Sequence, residues 1–186
     1  MIQSPYLILL HRGGTAMTYL DIHEQDYALF HDLANDYYRE GEDADTPQDE
    51  IDTFIRLLFQ KITHQEFCGC FAENNNTKIG FAIWTIDTED FVFSELPGYG
   101  TILEIGVKPQ YRGLGYGEEL VHYVEQRLAD QGSTQCYISA YGPAQKFWSH
   151  MGYAENGVTA SNGLPIMVKS FAGHNTITKT ENGDLI

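Results

Sequence analysis

The chain has 186 residues, 42% hydrophobic and 13% aromatic, with 11 basic against 26 acidic side chains and a formal net charge of −15. That length supports one well-packed core and falls short of two, and that charge repels nucleic acid and anionic lipid. The acidity either serves solubility or draws a cationic substrate into an acidic groove.

From Met17, "MTYLDIHEQD" reads as a short alternating strand and a turn into a helix, whereas residues 1–16 fit this pattern poorly and are set apart as a leader or an over-extended start. Tyr27, Leu29, Phe30, Leu33, Ala34, Tyr37 and Tyr38 recur at helical spacing up to the break at "EGEDADTP". A second helix begins around Pro47 and carries Ile51, Phe54, Ile55, Leu58 and Phe59 on one side. "EFCGCFAE" and "KIGFAIWTID", separated by "NNNT", predict a β-hairpin. A long connection leads to another strand, "TILEIGV", over 101–107.

Leu120, Val121, Val124 and Leu128 then line a helix that Gly132 caps. A strand "TQCYISA", a short helix over 143–151, two last strands around an Asn-Gly turn, and a polar tail after Phe171 complete the chain. The order predicts one α/β (α+β) domain over 17–171, with a mixed, mostly antiparallel sheet and about four helices, followed by a tail over 172–186.

Cys68, Cys70 and Cys136 match neither a disulfide framework nor a paired Cys-x-x-Cys site. The seven histidines form no helical zinc pair, so reduced thiols and no metal are expected. No apolar run approaches the ~18 residues of a membrane span, and "YLILL" is too short for a secretion signal core. A cytoplasmic protein without a membrane partner is expected.

The informative stretch is "VKPQYRGLGYGEEL", 107–120, with Gly113, Gly115 and Gly117 between a strand and a helix expected to begin near Gly113. Main-chain N–H groups at a helix start favour an anion, and glycine lets a phosphate approach the backbone. Neither the P-loop nor the G-x-G-x-x-G spacing is present, so a phosphate or pyrophosphate cradle of another kind is implied.

The segment resembles the GCN5-related N-acetyltransferases (GNAT), whose signature Q/R-x-x-G-x-G/A is matched by Gln110, Gly113 and Gly115. A second piece, "CYISAYGPAQKFWSHMGY", resembles the family's FY-x-x-x-GF segment through Phe147, Trp148, Gly152 and Tyr153. With the two leading helices and the strand pair, the resemblance covers most of 17–170.

It implies a splayed sheet and an acetyl-CoA site. The main chain of Ile105 and Val107 would run beside the pantetheine arm, and the amides of Arg112, Gly113, Leu114, Gly115, Tyr116 and Gly117 would hold the pyrophosphate. Glu118 and Glu119, in the first helical turn, are expected to point to solvent. Acetyl transfer to a primary amine needs a base, an oxyanion donor and an acid for the leaving thiolate. Glu104, on the strand before the signature, is the candidate base, acting directly or through water.

The family's usual acid, a tyrosine, would fall at 148, where this chain has Trp148, which is expected to be a packing aromatic. Tyr141, Ser149 and His150 are candidate replacements, as is water, and Tyr141 also stands where many relatives carry an asparagine that contacts the cofactor. Acceptor recognition would fall to Tyr37, Tyr38, Glu40, Glu42, Asp43, Asp45, Glu89, Asp90, Glu95 and Tyr99, a set suited to a cationic amine. A small-molecule amine or a protein amino group is the expected acceptor, and the protein is expected to be a monomer or homodimer. The alternative is a CoA-binding or sensory module of the same fold with impaired catalysis.

Overall fold

The structure is a computed structural model that describes residues 17–40, 45–91 and 94–171. The expected leader over 1–16, the tail over 172–186, and Glu42 and Asp43 lie outside the described residues. In chain order the elements are β1 (Thr18–Asp21), α1 (Tyr27–Glu40), α2 (Gln48–Thr63), β2 (Cys68–Asn74), β3 (Thr77–Ile86), β4 (Gly100–Val107), α3 (Tyr116–Asp130), β5 (Gln135–Ser139), α4 (Gly142–His150), β6 (Ala154–Thr159) and β7 (Pro165–Ser170). Short 3-10 turns precede α1 at Glu24–Asp26 and follow β4 at Pro109–Tyr111.

The strands form one sheet in the order β1-β2-β3-β4-β5-β7-β6, antiparallel throughout except for the parallel β4–β5 pair. This is the expected mixed, mostly antiparallel α/β architecture. Side chains alternate across each strand, and the two faces build separate cores. Phe71, Phe81 and Ile83 pack beneath α1 and α2 with Phe30, Ile55 and Leu58. Cys70, Ala72, Ala82 and Trp84 face α3, whose Leu120, Val121, Val124 and Leu128 are fully buried. Each buried Leu, Ile, Val or Phe among these contributes roughly 1.5–3 kcal/mol by leaving water.

Two features of β4 create the site. It pairs with β5 only at Gly100↔Cys136 and Thr101↔Tyr137, after which the strands part and β5 continues against β7. Its register against β3 also slips between Ile83 and Trp84, which leaves Leu103 as an extra residue between Ile102 and Glu104. Such a bulge bends a strand and re-aims the side chains beside it.

One local expectation differs from the structure. The helix after the glycines begins at Tyr116 rather than near Gly113, because Gly113 (φ +71°) and Gly115 (φ +89°) hold left-handed backbone that a right-handed helix cannot include. Of the two Asn-Gly pairs near the end of the chain, Asn162-Gly163 makes the turn into β7. Asn156-Gly157 instead sits inside β6, where the pairing is irregular and Gly157 has φ +80°.

Candidate functional site

A cleft of about 620 Å³ opens where β4 and β5 diverge. Its floor is the open half of β4, including Glu104 and Ile105. Tyr37 and Tyr38 reach it from α1, Tyr141 and Trp148 from the α4 segment, and Asn162 and Leu164 from the β6–β7 turn.

The hydrogen-bond phase of β4 decides which main-chain groups face this gap. In an antiparallel ladder, alternate residues exchange both bonds with the neighbouring strand. Lys108 N donates to Ile79 O at 2.8 Å, and with Phe81↔Gly106 and Ile83↔Glu104 in register, the even positions 104, 106 and 108 turn towards β3. Ile105 and Val107 therefore turn their main chain to the gap, the two positions named from the sequence. An extended ligand can pair with such an edge as a strand would.

One of these groups is already engaged: the Val107 carbonyl accepts a bond from Arg112 Nε at 2.7 Å. Arg112 Nη2 meets Glu40 of α1 at 2.5 Å, so this guanidinium leans towards α1. The Arg112 main-chain N–H is donated to Pro109 O at 3.1 Å. Of the amides expected to form a cradle over 112–117, that of Arg112 is therefore already engaged. Gly115 is the N-cap of α3, and the N–H groups of the first helical turn at Tyr116, Gly117 and Glu118 project from its start. The signature spacing is met a second time by Arg112, Gly115 and Gly117, and this frame places its glycines at the N-cap and within the first turn.

Glu118 is exposed and lies 3.6 Å from His150 Nε2, as a solvent-facing side chain should. Glu119 does not follow that expectation. It is half-buried with one carboxylate oxygen fully enclosed, and its charge is among the influences, after burial, that hold the Tyr19 phenol well above its usual range.

Glu104 is half-buried beside Ile83 on the α1 face of the sheet. It is the one carboxylate among the described residues that line the cleft. Tyr141 is 42% exposed and forms the N-cap of α4. Of the three candidate acids, Tyr141 lines the cleft while Ser149 and His150 do not. Trp148 is buried, with Phe147 and Tyr153 packed edge-on at 5.3 and 5.1 Å, and it borders the cleft as well. It is a packing aromatic, as expected.

Of the described members of the acidic and aromatic set proposed for the acceptor, two line the cleft. Tyr37 and Tyr38 line the cleft, Glu40 is paired with Arg112, Glu95 accepts from Ser161 N, and Asp90 borders a separate cavity beside α2. Ser139, Asn162 and Leu164 belong to the cleft and carried no signal in the sequence. The Asn-Gly turn was legible, but the return of that turn to β5 depends on the strand order.

The three cysteines are free. Burial pushes the Cys136 thiol up to about 12 and that of Cys70 higher still, which leaves both inert as nucleophiles. Among the described residues no cluster of His, Cys, Asp or Glu could hold a metal ion, and no helix is long and apolar enough to cross a membrane.

A splayed sheet, an open strand edge and a glycine-lined helix start form the frame of an acyl-CoA-dependent transferase. The acetyltransferase (GNAT) family profile matches residues 27–153, and the chain belongs to that family. Among solved structures, the PaiA N-acetyltransferase of Thermoplasma acidophilum, in complex with coenzyme A, superposes with a TM-score of 0.65 at 15% identity, covering 83% of this chain and 99% of that one. A GCN5-related N-acetyltransferase from Ralstonia eutropha gives 0.64 at 22% identity, over 78% and 97%. Aminoglycoside 6'-acetyltransferase type Ii gives 0.61 at 16% identity, over 84% and 98%. At these identities the likeness establishes the fold. A comparison with curated protein sequences finds no match.

Proposed function

We propose that the protein transfers an acetyl group from acetyl-CoA to a primary amine by direct attack in the β4–β5 cleft. The observation that carries this reading is the placement of Glu104 on the same open strand edge that turns Ile105 and Val107 to the gap. A strand that holds the pantetheine arm by its main chain then carries, one residue away, a base for the incoming amine.

In this reading the amides of Gly113–Gly117 and the start of α3 take the pyrophosphate. The acetyl thioester is the electrophile. Glu104 accepts the proton of the attacking ammonium, directly or through one water. The amine nitrogen then bonds to the carbonyl carbon, whose oxygen gathers charge against a main-chain N–H of the gap-facing edge, such as that of Ile105. The C–S bond breaks, the CoA thiolate takes a proton from Tyr141 or from water, and the amide nitrogen releases its second proton to the phenolate or hydroxide so formed. Tyr37 and Tyr38 offer aromatic faces to a cationic acceptor. A small-molecule amine and a protein amino group both fit an open cleft of this size.

The test has two arms. Calorimetric titration with acetyl-CoA should show binding, and release of free CoA thiol should accompany turnover of an amine panel containing a polyamine, an aminoglycoside, a lysine peptide and a peptide with a free N-terminus. Glu104→Gln should lower kcat by about 10²–10⁴-fold with the acetyl-CoA Kd unchanged. Binding without turnover on any amine would instead favour the CoA-binding or sensory module, the reading supported by Trp148 in the place of the usual acid. No binding at millimolar acetyl-CoA sinks both.

A further inference from the structure

Asp87 follows β3 and is 1% exposed, yet lies outside the cleft lining. Its Oδ2 accepts three hydrogen bonds, from Glu95 N at 2.9 Å, Leu96 N at 2.7 Å and Tyr137 Oη at 2.9 Å. Its own main chain closes the connection further, with Asp87 N donating to Tyr99 O and Asp87 O accepting from Gly98 N, both at 2.8 Å. Burying a carboxylate is costly, and a well-packed apolar side chain would serve stability as well or better. The hydrogen bonds fix geometry.

That geometry leads to the cleft by two routes. Tyr137 sits on the last β4–β5 rung, Thr101↔Tyr137, so its bond to Asp87 pins the vertex from which the strands diverge. The 95–96 segment presents the Glu95 carboxylate to Ser161 N at 2.6 Å, at the start of the β6–β7 turn. In that turn Asn162 Nδ2 donates to Ser139 Oγ at 3.2 Å, and Asn162 and Leu164 form a wall of the cleft.

We propose that Asp87 is a positioning residue which, through Glu95 and Tyr137, sets where the Asn162–Leu164 wall stands and thereby how the acceptor amine is held. This rests on the acetyl-transfer reading of the cleft. The pyrophosphate side, at Gly113–Gly117, lies outside the chain of contacts, and the Glu95 branch reaches the wall through Ser161 without passing through Ile105 or Val107.

The variants are Glu95→Ala, Glu95→Gln and Tyr137→Phe, with Asp87→Ala as the full disruption. The amine is the panel member that the wild type turns over fastest. Loss of one hydrogen bond of about 1 kcal/mol corresponds to roughly fivefold. Glu95→Ala should therefore speed hydrogen exchange at the Ser161 amide and raise the amine KM by about fivefold, with kcat and the acetyl-CoA Kd within about twofold. Glu95→Gln keeps an acceptor oxygen and should restore both, while Tyr137→Phe should raise the amine KM alone.

Unchanged exchange at Ser161, an unchanged amine KM, or an acetyl-CoA Kd that moves as far as the amine KM overturns the proposal. If the wild type binds acetyl-CoA and acetylates no amine, the functional reading falls and takes the proposal with it. If the wild type is active and Glu95→Ala matches it, the positioning proposal alone falls. Asp87→Ala failing to fold would not rescue it, since Glu95→Ala leaves the buried carboxyl in place.

Discussion

Tyr141 and Trp148 meet the same cleft from opposite circumstances, one 42% and the other 6% exposed. A tyrosine at the mouth of a helix can carry a proton to a leaving thiolate, whereas an indole N–H donates a hydrogen bond and keeps its proton. Tyr141→Phe should thus lower kcat by about tenfold to a hundredfold while acetyl-CoA binding holds, read from single-turnover thiol release. Trp148→Ala should act on stability, costing about 3–5 kcal/mol in urea unfolding, because it removes the ring between Phe147 and Tyr153. The sequence showed which residue types stood at 141 and 148 but not their exposure, which the packing of α4 decides. The roles of the glycines were legible only in outline: Gly113 and Gly115 are required by positive φ, and an added Cβ at Gly113 would meet nothing within 4 Å.

At the scale of elements, β4 shows what periodicity can and cannot reveal. Its strand character, the hairpin before it and the buried stripe of α3 all follow from spacing within a short window. The extra residue at Leu103 does not, because a bulge exists only relative to a partner's register, and the parting of β4 from β5 depends on β7 claiming β5. The splay was therefore available from the family resemblance and from no local pattern. The close approach of β3 to β4 gives a test: a Cβ on Gly80 would lie 2.3 Å from the Gly106 carbonyl oxygen. Gly80→Ala must push the strands apart at the rung of Val107, and is expected to cost about 1–3 kcal/mol and to weaken acetyl-CoA binding.

For the whole molecule, an excess of 15 negative charges makes stability depend on pH, and one buried network sets part of that dependence. Burial alone would raise the Glu125 carboxyl, but bonds from His122 and from Lys169, whose Nζ lies 2.7 and 2.8 Å from the two oxygens, hold it below the ordinary carboxylate range. A carboxyl depressed in the folded state stabilises fully above its unfolded pKa, near 4.3, and loses that contribution as pH falls through the folded value. The stability difference between wild type and Glu125→Gln should therefore be present at neutral pH and shrink below about pH 4, measured by denaturant midpoints. Sequence alone could count these charges. It could not show that a helix residue at 125 and a strand residue at 169 are partners.

The parted strands also carry a colloidal consequence. A sheet normally exposes strand edges only at its two flanks, and those flanks are where unwanted chain-to-chain pairing begins. Here the opening between β4 and β5 creates an interior edge, with Ile105 and Val107 turned into it. A bound pantetheine arm would cover that edge as a guard strand does. Under the acetyl-transfer reading the ligand would also serve solubility: preparations stripped of CoA should aggregate sooner on warming than saturated ones, by light scattering, beyond what any shift in Tm explains.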